Sequence, residues 1–217
     1  LRGRATADEK FETKSWPATV ETTGTVYETI AGEPSWGRDI AILKIDEQEP
    51  LPTVQLGDST DLGTGEEVFV VGYPGIGIEE LFEDRNTTLE PTLTSGVVSA
   101  RRTLNSGVET IQTDAGINSG NSGGPGYKSD GEVVGVATFS PSSRDIEEVA
   151  FGLPIEIVKG FMTEVGVENR SGELTTTYEE GLNALWRDDC ETVEEKMNTV
   201  LDMWPNHPYA QEIIEEC

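Results

Sequence analysis

Histidine is almost missing: the 217 residues hold one, His207, near the C-terminal end. A catalytic base or a metal cage built on imidazole thus has a single candidate within them. Cysteine is nearly as scarce. Cys190 and Cys217 both lie in the last fifth of the sequence, so the rest has no disulfide framework and no thiolate metal site. Cys190 reads as a small buried apolar residue rather than a ligand or half of a bridge. No apolar run approaches a bilayer span; the longest, "VFVVGYPGIGI", is broken by Gly and Pro and reads as strand and turn. There is no initial methionine, basic leader or cleavage pattern, so no targeting signal is visible. Basic side chains are few, 15 against 41 acids, a net charge of −26. That balance excludes nucleic acid and anionic membrane as partners. The acids are dispersed among apolar strand residues, unlike a disordered acidic tail. Two origins remain open: a salt-adapted chain, in which screening relieves self-repulsion, or an acidic extracellular one.

What is present is strand-like up to about residue 165. "ATVETTGTVYETIA", "DIAILKI", "EEVFVVGY", "LTSGVVSAR", "VETIQTD", "EVVGVATF" and "EVAFGLP" are short and apolar, divided by Gly, Pro, Asp and Ser. Seven such segments predict an antiparallel barrel or sandwich. "IEIVKGFMTEV" then changes to helical spacing, with Ile155, Val158 and Met162 on one face.

After a linker over 167–175, residues 176–217 are helical by pattern. Thr177 with Glu180, and Thr192 with Glu195, fit capping boxes at two helix starts. Tyr178, Leu182 and Leu185 share one face of the first helix. Val193, Met197, Val200 and Leu201 share one of the second. Pro205 ends the second helix and Pro208 suits the first turn of a third. Gly181 and Ala184 leave room for a neighbouring helix. "YEEGLNALWRDDCETVEEKMNTVLDMWPNHPYA" resembles one tetratricopeptide (TPR) repeat, which implies a protein partner; an unrelated helical hairpin is the alternative reading.

Chemistry concentrates in "QTDAGINSGNSGGPG". Acyl transfer through serine needs an exposed hydroxyl and backbone N–H groups aimed at the developing oxyanion. Glycines permit the positive φ angles that turn amides inward. Ser122 is the candidate nucleophile, and the backbone of Gly120, Asn121 and Ser122 the candidate oxyanion hole. "SWGRDIAILKID" sets Asp39 at the mouth of a buried strand, about eighty residues before Ser122. That order and spacing approximate those of a Ser-His-Asp triad.

Together "RDIAILKI", "LGDSTDLGTGEEVFVVGYPG", "TLTSGVVSARR", "IQTDAGINSGNSGGPG", "GEVVGVATF" and "FGLPIEIVKGF" resemble the trypsin-like serine proteases of the HtrA/Deg family. The resemblance covers roughly residues 30 to 165. It implies a mainly β, chymotrypsin-like double β-barrel with an incomplete first barrel, over residues 1–166. It also implies protein or peptide substrates, no cofactor or metal, and an extracellular or cell-envelope location. Ser122 becomes the nucleophile and Asp39 the acid that orients the base. Asn121 replaces the Asp that digestive relatives carry, which removes their activation route through a new N-terminus.

The base itself is expected upstream of Leu1, because counting back by the usual spacing passes the first residue. The competing account is an inactive homologue whose base was replaced. His207, in "WPNHPYA", reads as a helix-capping residue. Gly116 stands six positions before Ser122, where basic-specific enzymes carry Asp. A neutral S1 pocket follows, bounded by Asp114, Gly116, Thr138, Phe139 and Ser140 and suited to small or medium apolar side chains. Two features depart from the family: a long acidic loop over 76–91, containing the sequon Asn86-Thr-Thr, and a TPR-like tail where a PDZ domain is usual.

Overall fold

A computed structural model describes residues 15–47, 50–73, 91–139 and 149–217. Among the described residues the chain is mainly β, with one closed six-stranded barrel and four helices. It divides into two compact units, one containing 10–45 and 55–169 and the other 46–54 with 170–217.

In the first unit, strand β1 (Ala18–Thr23) pairs antiparallel with β4 (Ala41–Ile45), and β2 (Tyr27–Ile30) with β3 (Glu33–Trp36). The segment "ATVETTGTVYETIA", expected as one strand, is divided into β1 and β2, and β3 was not expected, since its Pro34 is a residue that sheets disfavour. The signal of the β2–β3 hairpin is the two-residue turn: Ala31 and Gly32 both hold positive φ, 53° and 89°, the twist that two-residue hairpins require. On the β1–β4 ribbon, Val20 lies opposite Leu43, and both are exposed.

The barrel is built from β5 (Glu67–Gly72), β6 (Thr92–Thr103), β7 (Glu109–Thr113), β8 (Pro125–Tyr127), β9 (Val133–Phe139) and β10 (Ala150–Pro154). They close in the order β10-β7-β6-β5-β8-β9. Alternation along β5 sends Val68 and Val70 inward, where they meet Leu62, Val98, Ile111, Val134 and Ala137. So small a barrel is filled by its own side chains. Register shifts in three of its strand pairs supply the sharp bends that closure demands.

Helix α1 (Ile155–Glu164) continues from β10 and buries Ile155 and Phe161. Phe161, not Met162, completes the inward face: α1 turns the ring at 161 onto Ile40, Val108 and Leu153, and the residue beside it points about 100° away. Glu156 accepts the Ser59 N–H (3.1 Å) and its hydroxyl, and Lys159 donates to the Gly57 carbonyl, so α1 is tied to the 57–60 turn. The cluster around Phe161 holds Ile40, the residue after Asp39.

The second unit contains α2 (Glu173–Leu185), α3 (Cys190–Met203) and α4 (Ala210–Glu216). Helix α2 begins inside the stretch read as a linker. Its N-cap is Gly172, whose N–H donates to the Thr53 hydroxyl at 2.8 Å. Thr177 is therefore a mid-helix residue and caps nothing. For α3 the cap is Asp189, not Thr192: its carboxylate accepts the Thr192 N–H (3.3 Å) and hydroxyl (2.7 Å). Pro208 lies ahead of the α4 N-cap, Tyr209, rather than in the first turn.

The inward face of α3 is the expected one, whereas α2 buries Leu174, Thr177, Gly181 and Ala184 and leaves the expected Tyr178, Leu182 and Leu185 half-buried beside them. Val193, Met197 and Val200 are buried, with Tyr178, Leu182, Leu185 and Leu201 packed against them. Gly181 lets α3 approach closely: a Cβ there would come within 2.5 Å of Met197 Cε. The expectation for Cys190 is corrected. It is exposed, and it forms a disulfide with Cys217 across a Cα–Cα distance of 5.4 Å. An exposed position gives a thiol nothing to bury against, whereas the α3–α4 hairpin brings the chain end back to it. Among the described residues no helix is long and apolar enough to cross a membrane.

Candidate active site

The segment from Asp114 to Gly126 leaves β7 and returns to the barrel as β8, so both its ends are fixed by strands. Between them the backbone turns twice on glycine, with φ of +101° at Gly120 and +84° at Gly123, angles that a side chain disfavours. The Asn121 N–H donates to the Asn118 carbonyl (3.0 Å) and closes the first turn. Gly124 N–H donates to the Asn121 carbonyl (2.8 Å) and closes the second.

Three further backbone bonds moor this loop. Gly123 N–H donates to Ala137 O at 2.7 Å, Ala137 N–H to Gly124 O at 2.9 Å, and Tyr73 N–H to Gly120 O at 3.3 Å. Ser122 stands at the apex, exposed, its hydroxyl donating to the Thr138 carbonyl at 3.1 Å. Among the described residues no carbonyl accepts the N–H of Gly120 or of Ser122. An exposed hydroxyl flanked by two unclaimed amides is the arrangement that oxyanion chemistry uses.

Behind Ser122, Asn121 is only 1% exposed. Its Nδ2 donates to the Gly116 carbonyl at 3.2 Å, and that carbonyl also takes the Thr94 hydroxyl at 3.0 Å. The Asn121 Oδ1 has no hydrogen-bond partner. Gly72, the last residue of β5, lies against it: a Cβ there would be 2.5 Å from Oδ1. Neither Gly72 nor Thr94 was expected at the site. The glycine closing an apolar strand was the available signal, since such glycines mark close backbone approach.

Of the other expected pocket residues, Gly116 is exposed, and the Thr138 hydroxyl donates to Phe151 O at 3.1 Å. The Asp114 carboxylate accepts the Val97 N–H at 2.6 Å, which commits one oxygen to the β6 backbone. Phe139 ends β9 opposite Phe151. Ser140 lies outside the described residues, as do Asn86 and the acidic loop but for Pro91. Asp39 is exposed, and among the described residues no hydrogen bond joins it to the Ser122 loop.

His207 is committed elsewhere. Its Nδ1 accepts the N–H of Tyr209 (3.3 Å) and of Ala210 (3.2 Å), and its ring contacts Tyr178 and Trp204. Burial lowers its pKa below the ordinary value, and only the neutral ring can accept those bonds. A lowered folded pKa gives stability that is complete above the unfolded value of about 6.5. It is lost as pH falls through the lower folded value. Thermal melts between pH 7 and 5 should show the helices weakening, and His207→Asn, which caps without titrating, should flatten that slope.

Comparison with known sequences places this geometry. Residues 5–136 match the model of the trypsin-like peptidase domain. The chain belongs to that family. Zebrafish serine protease HTRA1B is 34% identical over 161 residues, 71% of this chain and 30% of its own length. The serine protease Do-like HtrA of Bacillus subtilis is 37% identical over 131 residues (58% of this chain, 28% of its own). Bovine mitochondrial HTRA2 is 38% identical over 146 residues (64% and 28%). This trypsin-like peptidase chain thus spans under a third of the length of these HtrA relatives. The matched domain stops short of the helices α2 to α4.

Proposed function

We propose that the protein is a serine endopeptidase that cuts peptide bonds through an acyl-enzyme. One observation carries this reading: the exposed Ser122 hydroxyl beside two unclaimed N–H groups, on a loop moored to β5 and β9. In the reaction Ser122 Oγ attacks the scissile carbonyl carbon while its proton passes to a base. The carbonyl oxygen, now negative, takes hydrogen bonds from Gly120 and Ser122 N–H. Collapse breaks the C–N bond, the amine leaves with the proton, and water repeats the sequence to release the acid. The base is a histidine outside these 217 residues, since His207 is spent on capping α4. Asp39 orients that base; its carboxylate is exposed and free of any hydrogen bond among the described residues.

The β1–β4 ribbon and the β2–β3 hairpin belong to the incomplete first barrel. A neutral S1 pocket bounded by Asp114, Gly116 and Thr138 selects small or medium apolar side chains. Helices α2 and α3 form a TPR-like repeat that docks a protein partner. The Cys190–Cys217 bridge suits an extracellular or cell-envelope compartment.

A second reading is an inactive homologue that binds proteins through its cleft and tail. What favours it is the commitment of the one histidine. A fluorophosphonate probe separates the two. The 217-residue chain should resist it, because a hydroxyl without a base is a poor nucleophile. A longer form carrying the upstream histidine should be labelled at Ser122. An unlabelled longer form sinks the peptidase reading.

A further inference from the structure

Asn121 contributes its backbone to the proposed oxyanion loop, but its side chain has an arrangement of its own. It is buried directly behind the nucleophile and spans from the loop to the Gly116 carbonyl in the pocket wall, 3.2 Å from Nδ2. Its backbone is held on both sides, by Asn118 O and by Gly124 N–H, so the side chain cannot shift without moving Ser122. Gly72 offers it a bare backbone to pack on, with no space for even a methyl group. The Oδ1 atom accepts nothing.

On the surrounding elements, β5 to β9 and the loop itself, the titratable or charged groups among the described residues are Glu67, Tyr73, Arg101, Arg102, Glu109, Asp114 and Tyr127. Asp114 is bonded to Val97 N–H. Arg101 serves Ser59 O and Glu109, and Arg102 serves Gln112. Among the described residues of these elements no cation is left to neutralise an anion at position 121.

We propose that the Asn121 side chain is a positioning residue: a neutral amide strut that fixes the S1 wall to the turn presenting Ser122, in a site built to exclude charge. The inference rests on Ser122 being the nucleophile and adds what sets its position. A carboxylate is nearly the same shape but has no proton to give Gly116 O, and it would be a buried, unpaired anion. A carboxylic acid, by contrast, can donate there. Asn121→Asp should therefore work when protonated and fail when ionised.

The test uses the longer form that carries the base. Asn121→Asp is expected to lower kcat on a peptide substrate about a hundredfold at pH 8, comparable to losing an oxyanion donor. KM should change little. The ratio of variant to wild-type kcat should climb as pH falls towards 5.5. Gly72→Ala, which pushes the amide off Gly116, should give a similar loss at every pH. A pH-independent ratio for Asn121→Asp, or wild-type kcat in Gly72→Ala, overturns the proposal. If Asn121→Asp does not fold at either pH, the Gly72→Ala result decides alone. An inactive wild type instead removes the peptidase reading itself, so the two failures are distinguishable.

Discussion

Replacing Ser122 by alanine in the longer, histidine-containing form is expected to abolish peptidase activity, with kcat falling at least about 10⁴-fold. The melting temperature should stay within a degree or two. Both halves of that expectation come from the site. Ser122 is exposed, and its hydroxyl makes one hydrogen bond, to the Thr138 carbonyl, which water replaces at little cost. The loop's shape is kept by Gly120, Gly123 and the mooring bonds to Ala137 and Tyr73, none of which involves the side chain at 122. In the proposed reaction, by contrast, the chemical step passes entirely through that oxygen. Substrate should still bind, so a peptide that titrates wild type should titrate Ser122→Ala with similar affinity. A variant that keeps a tenth of wild-type kcat would mean that another group carries the reaction. A variant that melts far lower would mean that Ser122 is structural.

The loop was readable because its signals are local. Gly120 and Gly123 sit where the turns need positive φ, and "GVVSAR" and "EVVGVATF" are short apolar segments divided by turn residues, as barrel strands are. Where the sequence misled, the deciding partner was remote. Gly172 caps α2 with help from Thr53, about 120 residues away, while Thr177 offered a nearer and false start. Asp189 and Thr192 are both good capping types, and only the turn geometry chooses between them. The Thr138 carbonyl that accepts the Ser122 hydroxyl's hydrogen bond is backbone, which no residue pattern distinguishes. Phe161 and Met162 are adjacent apolar residues about 100° apart around the helix, and only the packing of α1 on its neighbours decides which is buried. Asp39 was legible as an acid before an apolar strand, but that strand, β4, is mostly exposed rather than buried, because apolar residues in so short a run do not reveal whether anything covers them.

Cysteine is the second case where a small change should have a large effect. Cys217→Ser is expected to destabilise the helical unit by about 3.5 kcal/mol, the loop-closure entropy of a bridge across a separation of 27 residues. A unit of this size holds only about 2–7 kcal/mol in total, so the loss is comparable with everything it has. The first casualty should be α4. Seven residues cannot sustain a helix alone, and its hold on α3 depends on Ala210, Ile213 and the His207 cap. Fraying of α4 uncovers Met197 and Val200, and α2 and α3 then lose part of their shared core. Calorimetry should resolve an early helical transition in Cys217→Ser, followed by a barrel transition at the wild-type temperature, because neither cysteine lies in the barrel. A dithiol reductant should move wild type to the same early transition and leave the variant unchanged. If the helical signal melts at one temperature with and without reductant, the bridge does not hold the three helices together.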